Sequence, residues 1–291
     1  MNKSGISLLS ILSFTLLMSS CKAQPSHNGH EYVDLGLSVK WATCNVGAQS
    51  PEDYGEYYAW GETKTKTIYT WKGYRFRVSG DSYSDVKFSK YNADVLSGPS
   101  NKTVLELADD VANVKWGGNW RIPTKEEIEE LFYNCDWVWT TQNGVIGAKI
   151  TSRVEGYTDR SIFMPASGYI IDSKQVLKDN YGFGWSSTIT DRNTSAYCIT
   201  FDLRGSYMDG SVMDHIEEIW NWHEDEDENP INDLPQTLAD KLRNYLYSGK
   251  VNLDSIPESL YKEYSTYIIA KDWGVSSSAR SCGLPVRPVC P

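Results

Sequence analysis

The run WGGNWRIPTKEEIEEL at 116–131 constrains this chain more than any other stretch, because it joins a glycine-hinged aromatic turn to a fully specified helix start. Thr124 and Glu127 have the Thr-x-x-Glu spacing of a reciprocal capping box, and Pro123 ends the extended segment before them. A helix is therefore expected to begin at Lys125. Ile128, Leu131, Phe132 and Cys135 fall at i, i+3, i+4 and i+7, on one face, while Lys125, Glu126, Glu129 and Glu130 occupy the wet side. Such a helix faces a core, and the strand-like pattern after it gives an α+β domain.

Alternation at period two marks 32–46, where Val33, Leu35, Leu37, Val39 and Trp41 share a face, as an edge or outer strand. Further strands are expected at 148–154, 161–164, 184–187, 196–203, 206–212 and 284–289. In the fourth of these, Tyr197, Ile199 and Phe201 oppose Cys198, Thr200 and Asp202 across the sheet. Gly205 and Gly210 flank 206–209 as hairpin turns would. Ser50 and Pro51, followed by Glu52 and Asp53, predict a short helical turn at 50–58. Leu107, Val111 and Val114 predict a short helix stopped by Gly117 and Gly118. Residues 63–101 are polar, tyrosine-rich and aperiodic, and read as irregular surface.

Residues 214–273 break the strand rhythm. An acidic run at 224–228 precedes two amphipathic patterns. The first carries Leu238, Leu242, Tyr245 and Leu246 and stops at Gly249; the second opens with Ser255 and Glu258 and carries Leu260, Tyr264, Tyr267 and Ile268. An αα-hairpin inserted between two strands satisfies both apolar stripes.

Residues 1–20 read as a signal peptide: Lys3, an apolar span at 6–18, then Ser19 and Ser20 before Cys21. The apolar span is about 13 residues, against the roughly 20 that cross a bilayer. Small residues before a cysteine give Cys21 as the lipid-attached first residue, with Met18 where leucine is usual; the alternative is an ordinary cleaved signal. Two or more acyl chains anchor stably, so the chain is expected to be tethered rather than spanning. Residues 21–30 then form a polar tether, and 31–291 one domain interrupted by 214–273.

A net charge of −10 argues against a nucleic-acid partner. Export permits disulfides, yet Cys44, Cys135, Cys198, Cys282 and Cys290 are odd in number once Cys21 is set aside, and connectivity stays open. No CxxC pair suggests zinc, and 224–228 lacks the alternating ligands and turn glycine of a calcium loop, so no metal or other cofactor is expected. His27 and His30 fall in the tether, His215 and His223 in the insertion. There is no Gly-x-Ser-x-Gly elbow, HExxH, Walker loop or glycine-rich dinucleotide fingerprint, and a non-enzymatic protein is expected.

Seven segments in order, at 32–48, 54–63, 116–131, 135–150, 161–169, 184–188 and 284–289, carry a resemblance. Over 32–211 and the last fifteen residues the chain resembles the Fibrobacter succinogenes major paralogous domain, a family abundant in Bacteroidetes lipoproteins. The resemblance implies a C-type lectin-like fold, in which the terminal strands pair and a loop-rich lobe presents a variable binding face. It implies an adhesion or ligand-binding module in the outer membrane, displayed at the cell surface or facing the periplasm. Similar folds serve as diversified proteins of retroelements, with the variable segment between a GxWSS-like strand and the terminal VRPV. Formylglycine-generating enzymes also share the fold and use metal-binding cysteines; Cys282 and Cys290 are the only counterpart here, which leaves catalysis the third reading. The 214–273 insertion departs from the family pattern.

The expected ligand is an extracellular protein or glycan, met by Tyr181, Arg192, Arg204, Tyr207 and Asp209 at turns and strand ends around the variable region. Trp220 and Trp222 join them as open candidates, equally suited to anchoring the inserted helices. Trp41, Trp60, Trp116, Trp120, Trp137, Trp139 and Trp185 are expected to pack the sheet. The competing reading is a structural subunit of a surface assembly, docking through the insertion.

Overall fold

Both ends of the domain lie in one sheet. In the computed structural model, which describes residues 24–92, 102–202, 236–246, 257, 259–260 and 275–291, β1 (Ser26–His27), β2 (His30–Val33) and β3 (Lys40–Ala42) are joined by β14 (Val289–Cys290). Val289 pairs antiparallel with Trp41, and Cys290 with Lys40. Two further sheets have the orders β6 (Cys135–Gln142), β7 (Val145–Ser152), β8 (Ser161–Pro165) and β11 (Tyr181–Ile189), β12 (Ser195–Asp202), β13 (Val275–Ala279). Two-stranded ribbons, β4 (Arg77–Ser79) with β5 (Lys87–Phe88) and β9 (Tyr169–Ile171) with β10 (Lys174–Val176), complete the strands. All the pairings are antiparallel. The helices among the described residues include α1 (Val111–Trp116), α2 (Lys125–Asn134) and α3 (Gln236–Leu246), with short 3-10 helices at Trp71–Gly73 and Leu107–Asp109. None is long and apolar enough to cross a membrane.

Helix α2 starts as its sequence dictates. The Glu127 amide donates to Thr124 Oγ1 at 3.3 Å and the Thr124 amide to Glu127 Oε2 at 2.9 Å, while Arg121 grips the same carboxylate from behind. Ile128, Leu131 and Phe132 are buried, and Cys135, also buried, opens β6 instead of closing the helix. These side chains meet Leu35, Trp41, Ile150, Ile162, Ile199 and Phe201 in one core. A second core packs Tyr58, Trp60, Tyr74, Phe88, Trp185 and Cys198. Strand β12 divides the two, with Ile199 and Phe201 in the first core and Ala196 and Cys198 in the second. Each fully buried large apolar side chain contributes about 1.5–3 kcal/mol, so a strand buried on both faces is firmly held.

The structure corrects several expectations. The stretch 32–46 is two strands: Asp34 accepts from the Gly36 amide at 2.9 Å, and Gly36 takes φ +75°, where a Cβ would meet Tyr157 at 2.6 Å. Leu35, Val39 and Trp41 stay buried because the intervening loop runs over the same core. Of 50–58, only 50–53 form a turn, in which the Asp53 amide donates to Ser50 O at 3.2 Å and the Gln49 and Ser50 amides both donate to Asp53. In the helical region before 116–131, Val111 is buried but Leu107 and Val114 are exposed.

The largest correction concerns 63–101, whose described part supplies core rather than surface. Tyr69, Trp71, Tyr74, Phe76, Phe88 and Tyr91 are buried and meet edge to face, with Trp60 and Tyr91 5.1 Å apart and Phe76 and Tyr91 5.4 Å apart. Interlocking rings fill volume without a repeat, so periodicity is silent about them. From residue 24 the expected tether is also ordered: Trp120 Nε1 donates to His27 O at 2.8 Å, and His30 stacks on Trp116 at 3.8 Å.

Of the strand expected at 284–289, only Val289 pairs in a ladder, Leu284 forming an isolated bridge to Tyr58. Strands β1, β4, β5, β6, β9, β10 and β13 lie outside the expected strands. Helix α3 matches the first inserted pattern, with Leu238 and Leu242 buried. The strand expected at 206–212, the acidic run and most of the second inserted helix lie outside the described residues. All five cysteines after Cys21 are free thiols.

Candidate binding cleft

Between β11 and β12 the chain reverses at 190–195, and this turn is held from several sides. Its own bonds come first: the Ser195 amide donates to Arg192 O at 2.9 Å, the Arg192 amide to Thr190 Oγ1 at 3.1 Å, and Thr190 Oγ1 to Arg192 O at 2.9 Å. Below it lies Arg280, with 0% of its surface exposed. Its guanidinium donates to Asn193 O and Tyr91 O at 2.9 Å each, to Lys90 O at 3.1 Å and to the Tyr74 hydroxyl at 3.0 Å. Phe88 and Trp60 lie 4.3 and 4.9 Å from it as cation–π partners. The Arg280 amide donates to Thr194 O, so backbone and side chain both tie the turn to the second core.

Beside the turn opens a cleft of about 370 Å³. Thr190, Asp191, Arg192 and Ser195 line one side, Tyr197 the floor strand, Val275, Ser276 and Ser277 the neighbouring β13, and Tyr83, from the β4–β5 connection, the remaining wall. Tyr83 is 48% exposed, yet its hydroxyl shares a 2.9 Å hydrogen bond with Ser195 Oγ and its ring leans on Trp71 at 6.3 Å. Hydrogen bonding to Ser195, then Thr194, lowers the Tyr83 hydroxyl below its ordinary pKa, with Arg192 adding to the effect. Tyr197 is half-buried, and Lys125 Nζ sits 5.1 Å from its ring centre. The lining is thus ring faces, hydroxyls, one carboxylate and one guanidinium, a set suited to hydrogen bonding and stacking.

Among the residues expected to bind ligand, Arg192 lines the cleft. Tyr181 does not: it opens β11, opposite Asp202, stacked on Phe183 at 6.2 Å, at the far end of the strand from the turn. Cys21, Arg204, Tyr207, Asp209, Trp220 and Trp222 lie outside the described residues. Trp41, Trp60, Trp120 and Trp185 are fully buried, and Trp116, Trp137 and Trp139 pack partly buried against the cores. Among the described residues no three His, Cys, Asp or Glu side chains converge as a metal site. Sequence reading missed Tyr83, Thr190, Asp191, Ser195, Tyr197, Val275, Ser276 and Ser277. Tyr197 had a signal in the β12 alternation, whereas Tyr83, 112 positions from Ser195, had none.

No family model, curated protein or solved structure matches the chain.

Proposed function

We propose that this chain is a lipid-anchored cell-envelope protein of C-type lectin-like architecture, a non-enzymatic module that binds an extracellular protein or glycan through the cleft at the β11–β12 turn. The observation that carries this reading is the turn itself: an open, polar cleft beside a loop that a buried arginine fixes to the core. Recognition by a fixed loop loses little conformational entropy on binding. The pairing of β3 with β14 supports the lectin-like reading, since that fold joins its terminal strands. Attachment through Cys21 supports display outside the cytosol, with the outer membrane as the place.

Two measurements test it. Radiolabelled palmitate enters the wild-type chain in cells and fails to enter Cys21→Ser. Arrays of extracellular proteins and of glycans, probed with the full chain, retain it, and Arg192→Ala loses that retention. Retention that is equal for both chains would place recognition elsewhere.

A further inference from the structure

We infer that the cleft is a subsite for a neutral sugar, one ring of about hexose size whose apolar face lies on Tyr83 and whose neighbouring hydroxyls meet Asp191 and Arg192. This rests on the recognition reading above and names its ligand class. Size gives the first reason. At about 370 Å³ the cleft is at the small end of ligand pockets, which run from about 300 to 1,000 Å³; one or two sugar rings fit, and a long docked peptide does not.

Lining chemistry gives the second. Among the described residues Val275 is the only aliphatic wall, whereas sites for drug-like apolar molecules and for peptide anchors are mostly apolar. A sugar ring has an apolar face with a rim of hydroxyls, and the cleft is its complement: one tyrosine wall, serine hydroxyls, an acceptor-only carboxylate and a donor-only guanidinium. Asp191 and Arg192 are adjacent, exposed and opposite in charge, so they can accept from and donate to neighbouring hydroxyls of one ring. A ligand carboxylate placed on Arg192 would instead meet Asp191, on a chain whose net charge is −10.

Preorganisation gives the third. The Tyr83 ring is presented to solvent but pinned at its hydroxyl by Ser195 and backed by Trp71. A ring fixed before binding loses little rotamer freedom when a ligand stacks on it.

The test is saturation-transfer NMR on the full chain in a detergent without a sugar headgroup. The probes are the methyl glycosides of glucose, galactose, mannose and fucose, with methyl galacturonate carboxylate as the charged comparator. At least one neutral glycoside receives saturation, and the galacturonate binds more weakly than the galactoside. Tyr83→Ala and Asp191→Ala each weaken binding by about tenfold or more, while Tyr83→Phe, which keeps the ring but loses the hydroxyl that Ser195 holds, weakens it less than Tyr83→Ala does. Thermal unfolding of each variant establishes that it is folded, and should Tyr83→Ala unfold, Asp191→Ala decides. Transfer to no neutral glycoside, transfer unchanged in the decisive variant, or tighter binding of the galacturonate overturns the assignment. If an arrayed protein is retained by the wild type and lost by Arg192→Ala while no glycoside binds, the sugar falls and the recognition reading stands. If no ligand of either kind is retained, both fall.

Discussion

Asp109 and Asp110 are neighbours in the chain, both about 2% exposed, and their carboxyls are shifted in opposite directions. Burial alone would raise Asp109, but Lys90, the Tyr91 hydroxyl at 2.7 Å and Arg75 at 2.9 Å outweigh it and hold it below the ordinary value. Asp110 has backbone donors at Ala112, Asn113 and Ile122, the nearest at 2.7 Å, yet burial dominates and pushes it up to about 6. The linkage signs follow. Asp109, depressed when folded, contributes stability above the ordinary carboxylate range and loses it as pH falls through its lowered pKa. Asp110, raised when folded, keeps a proton that the unfolded chain releases near pH 4, so its contribution declines as pH rises from about 4 to about 6. Carboxyl-carbon NMR titration should give Asp110 a midpoint near 6 and place that of Asp109 below the ordinary aspartate value; an Asp110 midpoint in the ordinary range would mean that its three amide donors outweigh burial. Arg280 carries a second residue-scale prediction. Replacing it by Met leaves four hydrogen-bond acceptors without their guanidinium in a buried site, at a cost of about 3–5 kcal/mol in urea unfolding. In the sequence Arg280 is one more cation near the carboxyl end; only the fold brings residues 74, 90, 91 and 193 around it.

At the scale of elements, α2 depends on its cap. Thr124→Ala should destabilise by about 1 kcal/mol. Glu127→Ala should cost more, because Glu127 both caps the Thr124 amide and receives Arg121. The double variant should fall short of the sum of the two, as shared partners couple; additive losses in chemical denaturation would show the two contacts to be independent. This helix was legible from residues 116–135 alone because its capping box and the Arg121 contact span six positions or fewer; only the Lys125 amide, donating to Thr188 Oγ1 at 3.2 Å, reaches a distant partner. Strand β6 had a local signal as well: Asn143 and Gly144, at φ +48° and +83°, form the two-residue turn to β7, and Asn-Gly is the strongest short hairpin cue. The aromatic stretch 69–91 was illegible for a different reason. Its side chains are buried by partners distant in sequence, as when Trp60 meets Tyr91, and no period links them. The cleft divides in the same way. Arg192 stands out as a charge in a turn between two alternating runs, while Tyr83 and β13 reach it only through tertiary packing.

For the whole molecule, the question is how the chain holds its ends together without a crosslink. Small extracellular domains often use disulfides for this, yet here the five described cysteines are free thiols. Hydrogen bonding does the work instead. The segment before β14 threads between the amino-terminal strands and the approach to α2: Ala42 donates to Pro288 O, Val46 to Val286 O, and Arg121 and Val289 exchange amide bonds at 3.0 and 2.9 Å. Arg287, buried among them, donates to Ala42 O, Thr43 O, Phe163 O and Asn45 Oδ1 at 2.8–3.1 Å. Four of the thiols, Cys135, Cys198, Cys282 and Cys290, are buried, and burial pushes each of them up, Cys135 and Cys198 to about 12. Few thiolates form at neutral pH, and none of these four is presented to an oxidant. Cys44 is half-buried. Titration of the Cys21→Ser chain with a thiol-reactive chromophore should therefore modify Cys44 first and alone on the time scale of minutes, with four further equivalents appearing only in denaturant. The thermal midpoint should be the same with and without reductant. A midpoint lowered by reductant, or fewer than five reactive thiols after denaturation without it, would reveal a disulfide and show that the terminal ladder is not what closes the chain.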